Sequence, residues 1–135
     1  MAARFYFDTS IWLDFLEKRD AHGEIAEKLI NKIIEDKQII IYSFIIIKEL
    51  ENLGYSAYEI SEMFSIAKPD NLKFANVTKL QIEEAKKVAS ERNIPSGDVF
   101  HAILARDNEA QLITRDYDFQ KIKEITIPRL PEDFI

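Results

Sequence analysis

The hydrophobic pattern changes period several times along the chain, and each change marks an element. Phe5, Tyr6 and Phe7 are consecutive aromatic residues, the pattern of a strand buried on both faces. Directly after them, Ile11, Leu13, Phe15 and Leu16 continue as a helix, with Thr9 and Ser10 available as caps. This phase turns Asp14 and Glu17 outward and leaves Trp12 partly exposed near the start of the helix. Residues 19–23 form a connection, and Ile25, Leu29, Ile33 and Ile34 predict a second helix over 24–36. The isoleucine-rich stretch 38–43 predicts a second buried strand. Phe44, Ile47, Leu50 and Leu53 then recur every three residues, a helix that Gly54 ends. Ser56 caps a further helix carrying Ile60, Met63, Phe64 and Ala67, and a turn at 69–71 leads to a third strand over 72–77. Thr78 and Gln81 make a capping box for a helix running to Arg92. A break at 93–97 precedes a helix over 97–108, a short strand over 111–114, a helical turn over 116–122 and a last strand at 125–127. Strands alternating with helices predict an α/β fold. We expect one domain over residues 1–135, a mainly parallel central sheet flanked by helices on both faces, with 5–7, 39–42 and 112–113 as adjacent parallel strands.

Composition narrows the chemistry. The 135 residues are 47% hydrophobic, enough for a folded core. With no cysteine, disulfides and thiolate metal sites are excluded, and any metal must be held by carboxylates or by the two histidines. No basic segment followed by a long apolar run opens the chain, and no stretch reaches roughly 18 apolar residues. A cytoplasmic protein with no membrane association is expected. Only Gly23, Gly54 and Gly97 occur, so there is no glycine-rich loop of the P-loop or Rossmann kind. The net charge of −6 runs against a general nucleic-acid binder, but acids gathered around a metal would count in that total without repelling RNA once the metal is bound.

Four acids sit at separate junctions of this pattern. Asp8 follows the first strand and Asp116 follows the 111–114 strand, both at carboxyl ends where open α/β sheets bind ligands. Glu49 lies in the helix after the second strand, and Asp98 opens the helix after the 93–97 break. Each has a plainer use: Asp98 suits a helix dipole, Asp116 and Asp118 suit a turn, and Glu49 suits a solvated helix face. Together they form an oxygen-donor set fit for Mg²⁺ or Mn²⁺.

These motifs resemble those of PIN-domain ribonucleases, and in particular the VapC-like toxins of toxin–antitoxin pairs. The resemblance rests on Asp8–Thr9–Ser10 after a strand, Glu49 within Lys48–Glu49–Leu50, Asp98 in a helix continuing through Ala105, and Thr114–Arg115–Asp116–Tyr117–Asp118–Phe119. It covers nearly the whole chain in the family's order. Phe100 and His101 stand where that family usually has small residues. The resemblance implies that Asp8, Glu49, Asp98 and Asp116 are catalytic metal ligands for Mg²⁺, with Mn²⁺ able to substitute. It makes Ser10 and Thr114 hydroxyl partners of the cluster, and Asp118 a supporting or alternative ligand. It also implies an endoribonuclease leaving 5′-phosphate and 3′-hydroxyl ends, inhibited by a small antitoxin and prone to dimerise.

In such an enzyme a metal-activated water attacks the RNA phosphodiester. Candidate contacts to the RNA substrate are Lys18 and Arg19 after the first helix, Arg115 beside Asp116, and Lys121 and Lys123. Trp12 offers a surface for stacking on a base. The apolar helix over 58–67 is a candidate dimer or antitoxin groove, or an ordinary core helix. His101, one turn after Asp98, reaches either the site or the core. Two other classes stay open: a phosphatase using Asp8 as nucleophile, against which Ser10 stands where a second acid is wanted, and a non-catalytic α/β binding module. An RNA-processing nuclease outside any toxin pair is a further alternative.

Overall fold

The aromatic run becomes the inner strand of the sheet. In the computed structural model, which describes residues 2–135, β1 (Arg4–Phe7) is hydrogen-bonded to a neighbour on each side. Its partners are β2 (Ile39–Ser43) and β4 (Gln111–Ile113), and β2 pairs in turn with β3 (Leu72–Ala75). All three pairings are parallel, in the order β3-β2-β1-β4. Phe5, Tyr6 and Phe7 are all buried although successive strand side chains point to opposite faces, so helices cover both faces. The expected adjacency holds: Tyr6 is level with Ile41 on one side and Leu112 on the other.

The helices are α1 (Thr9–Glu17), α2 (Asp20–Glu35), α3 (Phe44–Asn52), α4 (Ala57–Ser65), α5 (Lys79–Arg92) and α6 (Ser96–Asp107). Two 3-10 helices follow, Tyr117–Ile122 and Pro131–Phe134. Ser56 and Thr78 cap α4 and α5 through the reciprocal boxes expected of them. The chain steps from β1 to β2 to β3 in one direction, and β4 then returns to the far side of β1. That reversal opens a crevice beyond the carboxyl ends of β1 and β4, the position where such sheets bind ligands.

Four local expectations are corrected. Residues 20–23 are already helical rather than a connection, because Gly23 lets α2 begin against the end of α1: a Cβ there would meet the Asp14 carbonyl oxygen at 2.8 Å. The third strand ends at Ala75. Residues 125–127 form no strand. Pairing is displaced past Pro128 to a single bridge between Arg129 and Ile113, where Arg129 N–H donates to Leu112 O at 3.0 Å. Lastly, Trp12 is not partly exposed but fully buried, with ring centres 5.2 Å from Phe7 and 5.0 Å from Phe64. It is a core residue and offers no stacking surface to a base. The 58–67 helix is likewise spent largely inside the chain, since Ile60, Met63 and Phe64 are buried and only Tyr58 among its large apolar residues is prominently exposed.

Candidate active site

Asp8 follows β1 directly and is only 4% exposed. It, rather than Thr9 or Ser10, is the N-cap of α1: its Oδ1 accepts from the Ile11 backbone N–H at 3.2 Å and from Ser10 Oγ at 2.7 Å. Its Oδ2 accepts from Thr114 Oγ1 at 2.5 Å, which ties the end of β1 to the residue after β4. Burial pushes the Asp8 carboxyl up from its ordinary value, and the Thr114 and Ser10 hydroxyls act against that rise. Thr114 Oγ1 also accepts from the Asp116 backbone N–H at 2.9 Å, and Asp116 Oδ1 accepts from the Asp118 N–H at 2.9 Å. One threonine thus links Asp8 to the turn that carries Asp116 and Asp118.

Asp98 lies in the first turn of α6 and faces that turn. Asp98, Asp116 and Asp118 each present a carboxylate oxygen, and the three lie within 4.8 Å of one another. The Asp98 carboxyl is pushed up to about 6, first by burial and then by the negative charges of Asp116, Asp8 and Asp118. Two unit charges at ~5 Å repel by about 3 kcal/mol at an effective dielectric of 20. The cluster is therefore uncomfortable as it stands, and its all-oxygen donor set fits a hard divalent cation that would offset the repulsion.

Glu49, from α3, stands beside the start of α6. A Cβ on Gly97 would lie 2.7 Å from Glu49 Oε2. Glu49 Oε1 accepts from Thr9 Oγ1 at 2.5 Å and lies 2.6 Å from His101 Nε2. Burial alone would raise the Glu49 carboxyl, but the facing His101 ring and the Thr9 hydroxyl outweigh it and hold the group below its usual range. The crevice thus gathers Asp98, Asp116 and Asp118 tightly, with Asp8 close enough to act on Asp98 and Glu49 against the neighbouring Gly97. Asp118, expected as an alternative ligand, belongs to the tight group.

The proposed RNA contacts divide. Arg115 is drawn into the protein: it makes a two-pronged bond to Glu132 at 2.5 and 2.9 Å, and its Nε lies 3.8 Å from the buried Asp14. Arg19 is bound to Glu17 at 2.6 Å and lies 3.7 Å from Asp14. Lys18 and Arg19 follow the far end of the nine-residue α1, about 13 Å of helix away from Asp8, so they do not join the carboxylates. A cleft of about 430 Å³ instead adjoins Asp116, and Tyr117, Lys123 and Arg129 are among the residues that line it. Tyr117 is 79% exposed, and Lys123 and Arg129 make no ion pair among the described residues.

Strand order, crevice and acidic junctions agree with a match to the family model described as PIN domain, over residues 5–125. The chain belongs to the PIN-domain family. No curated protein sequence matches it. Solved structures of similar fold include VapBC2 from Rickettsia felis bound to a DNA fragment from their promoter, at 17% identity and TM-score 0.69, covering 94% of this chain and 98% of the other. A toxin–antitoxin complex from Klebsiella pneumoniae aligns at 21% identity and TM-score 0.65, covering 94% and 97%. VapBC-1 from nontypeable Haemophilus influenzae aligns at 20% and 0.65, covering 96% and 98%. At these identities the likeness is one of fold.

Sequence reasoning left undecided what lies beneath the acids of this PIN domain. His101 is 2% exposed, and its Nδ1 lies 2.7 Å from Tyr6 Oη, which lies 2.8 Å from Ser43 Oγ. The spacing of His101 three residues after Asp98 was the available signal. The roles of Tyr6 and Ser43 had none, since an aromatic residue and a serine at strand positions are unremarkable in a sequence.

Proposed function

We propose that this PIN domain is a Mg²⁺- or Mn²⁺-dependent endoribonuclease, acting as the toxin of a toxin–antitoxin pair. The observation that carries this reading is the convergence of Asp98, Asp116 and Asp118 within 4.8 Å, beside Asp8, at the reversal point of the sheet. Asp98, Asp116 and Asp118 are the residues that would hold the cation, with Asp8 and Glu49 completing the set. Bound there, such a cation supplies Lewis acidity to a phosphate oxygen and a more acidic water as nucleophile.

The protein's own part is positioning. Thr114 and Ser10 fix the two Asp8 oxygens, and Thr114 also fixes the turn bearing Asp116. With both oxygens hydrogen-bonded and the residue buried, Asp8 is poorly placed to attack a phosphate itself, which weakens the phosphatase reading. The cleft beside Asp116 suits a single RNA strand: Lys123 and Arg129 can meet phosphates and exposed Tyr117 can stack on a base.

Incubation with a mixed-sequence single-stranded RNA, with Mn²⁺ or with EDTA, tests the activity. Cleavage should require the metal and be lost in Asp8→Asn and Asp98→Asn while both variants stay folded. Cleavage that survives EDTA would overturn the reading. The similar fold of chains in toxin–antitoxin complexes supports an antitoxin as partner, and a second copy of this chain is proposed beside it. Size-exclusion chromatography alone, and after co-expression with a small neighbouring open reading frame, tests both.

A further inference from the structure

We propose that Ser43, Tyr6 and His101 form a buried hydrogen-bond chain that positions Glu49, tying its Oε1 to the protein and leaving Oε2 for a cation. This rests on the metal-dependent reading given above. The three side chains come from the end of β2, from β1 and from α6, and each is essentially inaccessible to water. Three polar groups in an apolar core are costly unless every one is hydrogen-bonded. Here each is, and the chain leads to Glu49, whose side chain is about a third exposed, with Thr9 Oγ1 a more distant neighbour of the same His101 Nε2 at 3.4 Å.

The direction of the chain follows from its end at Glu49. A carboxylate only accepts, so His101 Nε2 carries the proton shared with Glu49 Oε1. In the neutral Nε2–H tautomer, Nδ1 is then an acceptor and Tyr6 Oη donates to it. That uses the single phenolic proton, so Ser43 Oγ donates to Tyr6. Burial pushes the Tyr6 hydroxyl far above its usual value, which keeps it a donor. Thr9, in the first turn of α1, donates to the same Oε1. Glu49 Oε2 accepts no hydrogen bond among the described residues and sits against Gly97, next to Asp98. The carboxylate is thus held by two donors on one oxygen, with the other turned toward the helix start that carries Asp98. Residues supporting a ligand in this way change metal affinity by 10–100-fold when lost.

His101 and Tyr6 are positioning residues in this account, and the test compares three variants with the wild type. His101→Leu removes the donor, His101→Gln keeps an amide N–H at similar reach, and Tyr6→Phe removes only the upstream proton. Mn²⁺ affinity is read by titration calorimetry, with kcat and KM for RNA cleavage, and ring ¹⁵N spectra give the His101 tautomer. The wild type should show Nε2–H. His101→Leu should bind Mn²⁺ 10–100-fold more weakly and lose kcat more than it raises KM, His101→Gln should recover much of the loss, and Tyr6→Phe should fall between. Unchanged Mn²⁺ affinity in His101→Leu, or equal losses in the leucine and glutamine variants, would overturn the proposal. If His101→Leu fails to fold, Tyr6→Phe decides, and wild-type affinity there overturns it. A wild-type protein that binds Mn²⁺ but cleaves no RNA defeats the nuclease reading alone, whereas one that binds no Mn²⁺ defeats both.

Discussion

At Gly97 the missing side chain makes room for the Glu49 carboxylate. A Cβ would meet Glu49 Oε2 at 2.7 Å, and Glu49 is held from its other oxygen by Thr9 and His101. Gly97→Ala should therefore displace the carboxylate rather than unfold the protein. We expect RNA cleavage to fall at least tenfold while thermal melting shifts by only a few degrees, and a large melting loss with proportionate activity would contradict this. Asp98 sets a pH dependence. Its carboxyl titrates near 6 in the folded chain against 3.8 ordinarily, so the folded state binds more protons between those values. Metal-free stability from this group falls as pH rises from about 4 to 6 and levels off above. Melting in EDTA across that range should flatten in Asp98→Asn, and stabilisation by Mn²⁺ should shrink as pH drops below 6, where protons compete. Asp8, raised as well, acts in the same sense, while Glu49, lowered, acts against it. Trp12 shows where a sequence misleads at this scale. The helical phase points Asp14 to water and Trp12 partly so, but Asp14 is buried between Arg19 and Arg115, and on the nearly opposite side of α1 the indole packs on Phe7 and Phe64. A distant arginine neutralising a helix aspartate leaves no local trace.

Among elements, strands and most helices were legible because aromatic and isoleucine runs and capping boxes are local signals. What failed was contingent on neighbours: the early start of α2 depends on Gly23 meeting the end of α1, and the last pairing depends on Pro128. Arg115 joins three such pieces, since it follows β4, grips Glu132 in the last 3-10 helix and lies beside Asp14 of α1. Its two-pronged bond holds the Glu132 carboxyl below its usual range. Arg115→Ala leaves Asp14 with Arg19 alone, and we expect a loss of about 1–3 kcal/mol in chemical denaturation, the usual cost of stranding a buried polar group. Adding Asp14→Asn should return part of it, since the stranded charge is gone. Full additivity of the two losses would show that the arginine acts elsewhere.

For the whole molecule, the acids were legible as a set because each stands at a junction between elements, yet their grouping was not. That Asp118 joins Asp98 and Asp116 while Asp8 is tied down by hydroxyls depends on side-chain directions at the sheet edge. A cation that relieves this repulsion should stabilise the entire fold, by about 2.7 kcal/mol at 100 times its dissociation constant. Differential scanning fluorimetry with Mn²⁺ should show this rise in the wild type and lose it in the Asp116→Asn, Asp118→Asn double variant. The bond between Asp8 and Thr114 spans 106 residues, and the strand that brings Thr114 into place is the last to be made. During synthesis, therefore, Asp8 emerges early and waits, while the partners that complete its surroundings are still inside the ribosome. The centre therefore stays unassembled while only the first three strands exist, and its chemistry becomes available only once the residues after β4 have folded against β1.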